Sequence, residues 1–398
     1  MELSKRALGI KPSSTIAISS MAAQLKAEGK DIVTFGVGEP DFDTPEHICN
    51  AAIAAIKSGQ TRYTPAAGVM ALRQAVCDKL QRDNGLTYTP AQVIISNGAK
   101  HSLMNVFMAI LNEGDEVIIP APYWLSYSEM VKIAGGKPVV IHTKKENQFM
   151  LTKAELEAAY TEKTKAVVLT SPSNPTGMVT SYGDLKMVAD FAVEKNIFVI
   201  SDEIYEKLIY EDEKKHMSIA SLGEEIYKRT IVINGVSKSY AMTGWRIGFA
   251  AAPLDVAKLM ASLQSHMASN PNTIAQMATL EALNGSQTCV EEMRREFSKR
   301  RDYIFEREEA IPLIHALKPE GAFYLFVDVS QTYGKKHEGV EISSAADFAA
   351  ILLEKKFVAV VPCADFGMAD YIRLSYATSM ELIEKGMDRI EAMVRELV

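Results

Sequence analysis

The chain has 398 residues, 47% of them apolar and 23% charged, with a formal net charge of −7 and a pI near 5.7. That length exceeds what one hydrophobic core usually fills, so two domains are expected, and the composition excludes a disordered or collagen-like chain. The acidic balance argues against nucleic acid or an anionic membrane as principal partner, so any anionic ligand must be met by local cations.

The amino end, Met1-Glu-Leu-Ser-Lys-Arg-Ala, lacks the apolar stretch of a signal peptide, and no apolar run approaches the roughly 20 residues of a membrane span. A cytoplasmic protein is expected. Cys49, Cys77, Cys289 and Cys363 stand far apart with no C-x-x-C pair, which fits reduced thiols rather than a disulfide frame or a zinc site. The seven histidines show no H-E-x-x-H or similar spacing, and no metal is expected.

In chain order, an N-terminal segment of residues 1–44 is expected to pack with the C-terminal domain. Strand-like apolar runs then fall at 93–96, 116–120, 137–141, 166–170, 197–201, 230–234 and 248–252, and helical periodicity marks 99–111, 182–195 and 254–269. Short runs apolar on both faces, separated by helices, predict a mostly parallel seven-stranded sheet covered on both sides, an α/β large domain over residues 45–285. The charged stretch 291–301 interleaves acids with bases and reads as a solvated interdomain helix rather than a nucleic-acid patch. Runs at 322–328, 358–362 and 371–375 and an amphipathic helix from Met380 predict a smaller α+β domain over residues 286–398.

In an open parallel sheet, ligands sit beyond the carboxyl ends of the strands, so the residues after each run form the candidate site. After 93–96 comes Asn97-Gly98-Ala99-Lys100, a turn opening a helix whose free N–H groups suit a phosphate. After 116–120, Ala121-Pro122-Tyr123-Trp124 offers a flat ring for stacking, or a core or interface residue. Ser171-Pro172-Ser173-Asn174-Pro175-Thr176-Gly177 holds Asn174 as a donor on a backbone fixed by prolines; a rigid turn is the alternative. Asp202-Glu203-Ile204-Tyr205 ends a buried strand with a carboxylate that requires a partner, unless it is only an acidic helix start. After 230–234, Val236-Ser237-Lys238-Ser239-Tyr240-Ala241-Met242-Thr243-Gly244-Trp245-Arg246-Ile247-Gly248 sets a lysine among small hydroxyl residues, with an arginine eight positions on. Such a lysine can form a Schiff base while its neighbours hold a phosphate. Late in the chain, Tyr371-Ile372-Arg373-Leu374-Ser375 buries an arginine in an apolar strand, where it needs an anion: a substrate carboxylate or a structural salt bridge.

These runs, with Gly36-Val-Gly38-Glu-Pro-Asp-Phe-Asp-Thr-Pro45 and Tyr63-Thr-Pro-Ala-Ala-Gly68, resemble over nearly the full length the ordered motif set of class I pyridoxal-phosphate aminotransferases. The resemblance is closest to the bacterial-type aspartate aminotransferases, some of which also use prephenate. It implies the type I fold of pyridoxal-phosphate-dependent transferases. It further implies Lys238 as the Schiff-base lysine and proton shuttle, Asp202 on the pyridine nitrogen, Asn174 and Tyr205 on the ring oxygen, and Trp124 beside ring and substrate. Gly98, Ala99, Ser237 and Arg246 match phosphate contacts, and Lys100 lies in the same turn. Tyr63 matches a tyrosine lent to the phosphate by the neighbouring subunit, which implies a homodimer. Arg373 matches the arginine on the substrate α-carboxylate, and Gly38 a backbone contact to the same group.

Animal and enterobacterial relatives bring a partner-subunit arginine to the distal carboxylate from a segment matching about 265–276, where this chain has none. In the resembling subgroup a lysine in the phosphate turn and a threonine after an early Lys-Pro-Ser take that task. Lys100 and Thr15, in Lys11-Pro12-Ser13-Ser14-Thr15, match both. The resemblance therefore implies transamination of L-aspartate with 2-oxoglutarate, with aromatic, alanine or prephenate transamination and C–S β-lyase chemistry as rivals. A non-catalytic regulator has no use for both Lys238 and Asp202, and no G-x-G-x-x-G marks a nicotinamide enzyme.

Overall fold

The computed structural model describes residues 2–12, 14–211 and 213–398; Ser13 of the early motif lies outside the described residues. The first strand is β1 (Val33–Thr34), followed by β2 (Val93–Ser96), β3 (Glu116–Ala121), β4 (Lys137–His142), β5 (Thr164–Thr170), β6 (Phe198–Asp202), β7 (Thr230–Gly235) and β8 (Gly248–Ala251). Strands β2 to β8 form one seven-stranded sheet in the order β2-β8-β7-β6-β5-β3-β4. Only β8 runs against its two neighbours. The mostly parallel sheet expected from the apolar runs is therefore present, and each of the seven runs lies within a residue or two of its strand.

Side-chain alternation sorts the strands onto two packed faces. Val117 and Ile119 of β3 and Ile231 and Ile233 of β7 join Val106, Phe107, Val256 and Met260 in one cluster, under the helices Ala99–Ile110 and Leu254–Met267. Ile118, Val167 and Val199 point the other way, onto Val188 and Phe191 of the helix Tyr182–Glu194. Each fully buried aliphatic side chain contributes roughly 1.5–3 kcal/mol. The carboxyl ends of β5, β6 and β7 are thereby held level. Among the described residues no helix is long and apolar enough to cross a membrane.

The carboxyl-terminal third adds β9 (His315–Ala316), β10 (Tyr324–Asp328), the hairpin β11 (Lys336–His337) with β12 (Val340–Glu341), β13 (Val358–Ala359), β14 (Val361–Pro362) and β15 (Tyr371–Ser375). Four of these form an antiparallel sheet in the order β14-β15-β10-β9, while β13 pairs with β1 in parallel. Three expectations are corrected here. The run 358–362 is two short strands that break at Val360, because its first half pairs with β1 and its second with β15. The run 322–328 enters its ladder only at Tyr324. Ala322 is left-handed (φ +57°), and its carbonyl is taken by the Tyr210 and Tyr376 hydroxyls rather than by a strand. The charged helix is longer, Thr288–Glu309, and is not simply solvated, since Phe297, Arg300, Arg301 and Ile304 are buried. Arg300 escapes the cost of burial through Asp41 at 2.6 Å and through the rings of Phe42 and Phe297 at 5.2 and 5.5 Å.

Candidate active site

Strand register sets the chemistry side by side: Thr170 at the end of β5 lies opposite Asp202 at the end of β6, and Lys238 follows β7 by three residues. Arg373 arrives from β15, and residues 37–39 from the N-terminal segment. Together they line a cavity of about 360 Å³. Of the sequence-expected site residues, Thr15, Gly38, Ala99, Lys100, Trp124, Asn174, Asp202, Tyr205, Ser237, Lys238, Arg246 and Arg373 all line it.

Lys238 Nζ donates to the Gly38 carbonyl at 2.5 Å and lies 5.8 Å from the Phe323 ring. Burial pushes its pKa down to about 8; Glu39 opposes this, and the Arg373 and Arg246 charges add to it. An amine with that pKa is substantially neutral, hence nucleophilic, at mildly alkaline pH.

Asp202 is buried. Its Oδ2 accepts from the Tyr127 hydroxyl at 2.6 Å, and its Oδ1 accepts from the Ile204 N–H at 3.3 Å. Burial raises its pKa to about 6, against the lowering effects of Tyr127, of the Ile204 N–H and, least, of Lys238. Neighbouring Glu203 adds to the rise. At neutral pH Asp202 is therefore a carboxylate held at an electrostatic cost, which a cation set against it relieves.

Arg373 is 2% exposed. Its Nη1 donates to Asn174 Oδ1 at 3.0 Å and its Nη2 to the Gly36 carbonyl at 3.2 Å, while the guanidinium sits 4.4 Å from the Tyr324 ring. Its Nε is buried without a partner, and its contacts among the described residues include no carboxylate. A structural salt bridge thus does not explain this arginine. A ligand carboxylate would, because it would supply the missing charge with paired acceptors. Bonding to Arg373 uses the oxygen of the Asn174 amide and leaves its NH2 as a donor.

The turn after β2 offers donors of the kind an anion takes. Gly98 has φ +82°, and a Cβ there would stand 2.4 Å from Arg246 Nη2, so only glycine fits both demands. The Gly98 carbonyl takes the N–H groups of His101 and Ser102, leaving those of Ala99 and Lys100 at the head of the helix. Arg246, itself left-handed (φ +57°), donates to the carbonyls of Thr243 and Asn97 at 2.9 and 3.4 Å and has no carboxylate partner among the described residues. Two N–H groups, the Ser237 hydroxyl and an uncompensated guanidinium suit a phosphate.

At the mouth, Lys100 Nζ stands 4.8 Å over the Trp124 ring, and Thr15 lines the same cavity. Desolvation and, second, the Arg246 charge lower the pKa of Lys100. Tyr205 is buried with its hydroxyl 2.8 Å from that of Tyr324. Tyr63 stands apart: it is 91% exposed and does not line this cavity.

Sequence reasoning missed Tyr127, Tyr324 and Glu39. Tyr127 follows Trp124 by three residues, one helical turn, which was the available signal; its hydroxyl joins Asp202 to Thr170 Oγ1 at 2.7 Å. Tyr324 lay hidden in an apolar run. Glu39 accepts from Thr243 Oγ1 at 2.7 Å and so ties the N-terminal segment to the loop that carries Arg246. Behind Asp202, Glu203 accepts from Ser201 and Ser218 and faces His216 Nε2 at 2.9 Å, and Glu206 is paired with Lys79.

A partly buried lysine, a buried aspartate and two arginines without a carboxylate partner among the described residues, gathered past the strand ends, suit a group-transfer enzyme. The chain belongs to the class I and II aminotransferases, whose family model matches residues 30–390, and it is an aminotransferase. It is 49% identical over 393 residues to an aspartate aminotransferase of Bacillus sp. (strain YM-2), covering 99% of each chain. It is 43% identical to an aspartate/prephenate aminotransferase of Nitrosomonas europaea, covering 99% of this chain and 100% of the relative. Among solved structures, the Thermus thermophilus aspartate aminotransferase with maleate superposes with a TM-score of 0.92 at 43% identity, covering 99% of this chain and 100% of that one.

Proposed function

We propose that this enzyme transfers the amino group of L-aspartate to 2-oxoglutarate, giving oxaloacetate and L-glutamate, as a homodimer that carries pyridoxal 5'-phosphate. The observation that carries the proposal is the charge pattern of the cavity. Four cationic side chains, Lys100, Lys238, Arg246 and Arg373, face two carboxylates, Glu39 and Asp202, in a chain that is acidic overall. None of the four has a carboxylate within salt-bridge distance among the described residues, and Lys238 instead donates to the Gly38 carbonyl, which leaves Lys100, Arg246 and Arg373 to meet an anionic ligand. They match a phosphate and the two carboxylates of a dicarboxylic amino acid.

The cofactor fits the residues present. Lys238 would hold it covalently, Asp202 would pair with its ring nitrogen, and Asn174 and Tyr205 would reach its ring oxygen. Trp124 would cover a ring face. Gly98, Ala99, Ser237 and Arg246, and Tyr63 of a second subunit, would hold its phosphate, Lys100 contributing its N–H. When bound, pyridoxal phosphate supplies a cationic ring that accepts electrons from the substrate. Arg373, with Gly38, orients the amino acid by its α-carboxylate, and Lys100 with Thr15 meets the distal carboxylate. Lys238 Nζ would carry the proton of the substrate α-carbon across to the cofactor; its lowered pKa keeps a neutral amine available for this. Asp202, oriented by Tyr127, keeps its charge against the ring nitrogen. Maleate in the Thermus neighbour and prephenate in the name of the Nitrosomonas relative are both dicarboxylates, in line with a second cation at the mouth.

Substrate choice is tested by Lys100→Ala. Lys100 sits at an exposed mouth, so its loss should cost about 1 kcal/mol rather than the 2–5 kcal/mol of a buried pair. Steady-state kinetics should show kcat/KM for aspartate falling about fivefold, mostly through KM, with phenylalanine unaffected. Equal losses on both substrates would assign Lys100 to the phosphate or to folding.

A further inference from the structure

Tyr63 lies on the loop between the helices Glu46–Lys57 and Met70–Asn84. A tyrosine 91% exposed ordinarily moves with its loop, but here the loop is tied down on both sides of Tyr63. Thr273 Oγ1 donates to the Arg62 carbonyl at 2.8 Å, and Gln276 Nε2 donates to Thr64 Oγ1 at 3.2 Å. Gln264 Nε2 donates to the Ala66 carbonyl at 2.6 Å, the Ile95 N–H donates to the Ala67 carbonyl at 3.0 Å, and the Val69 N–H donates to Gln276 Oε1 at 2.8 Å. Gly68, at φ +97°, packs so tightly on β2 that a Cβ there would meet the Ile95 side chain at 2.5 Å.

Both glutamines have no exposed surface, and each uses both ends of its amide. Gln276 also donates to the Pro271 carbonyl at 2.9 Å, and Gln264 to the Ile95 carbonyl at 2.7 Å. An uncharged amide in an apolar setting is costly unless both ends are satisfied, and an apolar residue of the same size would fill either position without that cost. What the amides add is the fixed path of residues 64–69. Gln264 goes further: its Oε1 accepts from Ser96 Oγ at 2.8 Å and Asn105 Nδ2 at 2.9 Å, so it also holds the strand end and the helix that flank the Gly98 turn.

We propose that Gln264 and Gln276 are positioning residues that hold the Tyr63 loop rigid, so that Tyr63 meets the cofactor phosphate in the second subunit without an ordering cost at each binding event. This rests on the reading of Tyr63 as a phosphate contact across a dimer. Gln276 gives the cleaner test, because Gln264 also supports the chain's own phosphate turn.

The experiment measures the dissociation constant of pyridoxal 5'-phosphate by equilibrium dialysis of the full-length dimer. It compares wild type, Tyr63→Phe, Gln276→Met and the double variant, with thermal melting and solution mass as controls of folding and assembly. Tyr63→Phe should weaken retention roughly tenfold, as for loss of a hydrogen bond to a charged group. Gln276→Met should weaken it in the same direction, and the double variant should be no weaker than Tyr63→Phe alone, because the glutamine acts through the tyrosine. Thr273→Val, a surface change, should give a smaller loss of the same kind and serves if Gln276→Met does not fold. Unchanged retention in folded, dimeric Gln276→Met, or effects that simply add in the double variant, would overturn the proposal while leaving Tyr63 on the phosphate. Unchanged retention in Tyr63→Phe would instead remove the reading of Tyr63 on which it rests.

Discussion

Lys238→Ala should fold and assemble like the wild type, yet lose transamination by roughly four orders of magnitude or more, since in the proposed role one substitution would remove both the covalent attachment and the base. No second lysine takes its place: Lys100, the other lysine lining the cavity, is at the mouth over Trp124. Borohydride reduction of the loaded wild-type enzyme followed by peptide mapping should place the cofactor on Lys238. In Lys238→Ala the label should be absent, and a label on another lysine would end the assignment. Because the pKa of Lys238 is lowered to about 8, capture of pyridoxal phosphate by cofactor-free enzyme should quicken as pH rises from 7 to 9 and the amine loses its proton.

Asp202→Asn should separate stability from function. In the cofactor-free protein the Asp202 pKa is raised to about 6 from 3.8, chiefly by burial. The folded state therefore holds a proton that the unfolded state has lost between these values, so stability falls as pH rises through that window, and the full cost is present above about pH 6. The asparagine variant escapes it. Without cofactor it should be more stable than wild type at pH 8, by about 1–3 kcal/mol, and close to wild type near pH 4. Loaded, it should lose activity by roughly 3–5 kcal/mol of transition-state stabilisation, a hundredfold or more, because in the proposed pairing a neutral amide would not favour a cationic ring. Melting curves at the two pH values and kcat/KM at pH 8 check both halves. Near wild-type turnover would make Asp202 structural and turn attention to Glu203.

The large sheet was legible because its strands are short, apolar on both faces and bounded by turns; β3, β5 and β6 show that pattern with almost no exception. Residues following a strand end in a parallel sheet share one edge, so reading them as a set grouped Lys238, Asp202, Asn174 and Arg246, which the fold brings to one cavity. Arg373 was legible for a different reason, a full charge inside an apolar run. What stayed hidden depends on tertiary pairing. The strand Val33–Thr34 has two residues and exists only because Val358–Ala359 lies beside it, and no local period encodes such a partner. Tyr127 and Tyr324 went unremarked, since the same ring can be core or hydrogen-bond donor until its hydroxyl finds Asp202 or Tyr205. Arg300 and Arg301 misled in the opposite sense, because cations among acids look solvated unless the aromatic rings that cover them are known.

A single half-reaction tests the proposed chemistry most directly. The enzyme, loaded with pyridoxal phosphate and freed of excess, is mixed with L-aspartate alone, and oxaloacetate is counted per subunit. The cavity described here predicts one oxaloacetate per subunit and no ammonia, with turnover resuming only when 2-oxoglutarate is added and L-glutamate then appearing. Continuous keto-acid release without an acceptor, or no oxaloacetate from aspartate where phenylalanine or alanine reacts, would contradict an aspartate aminotransferase.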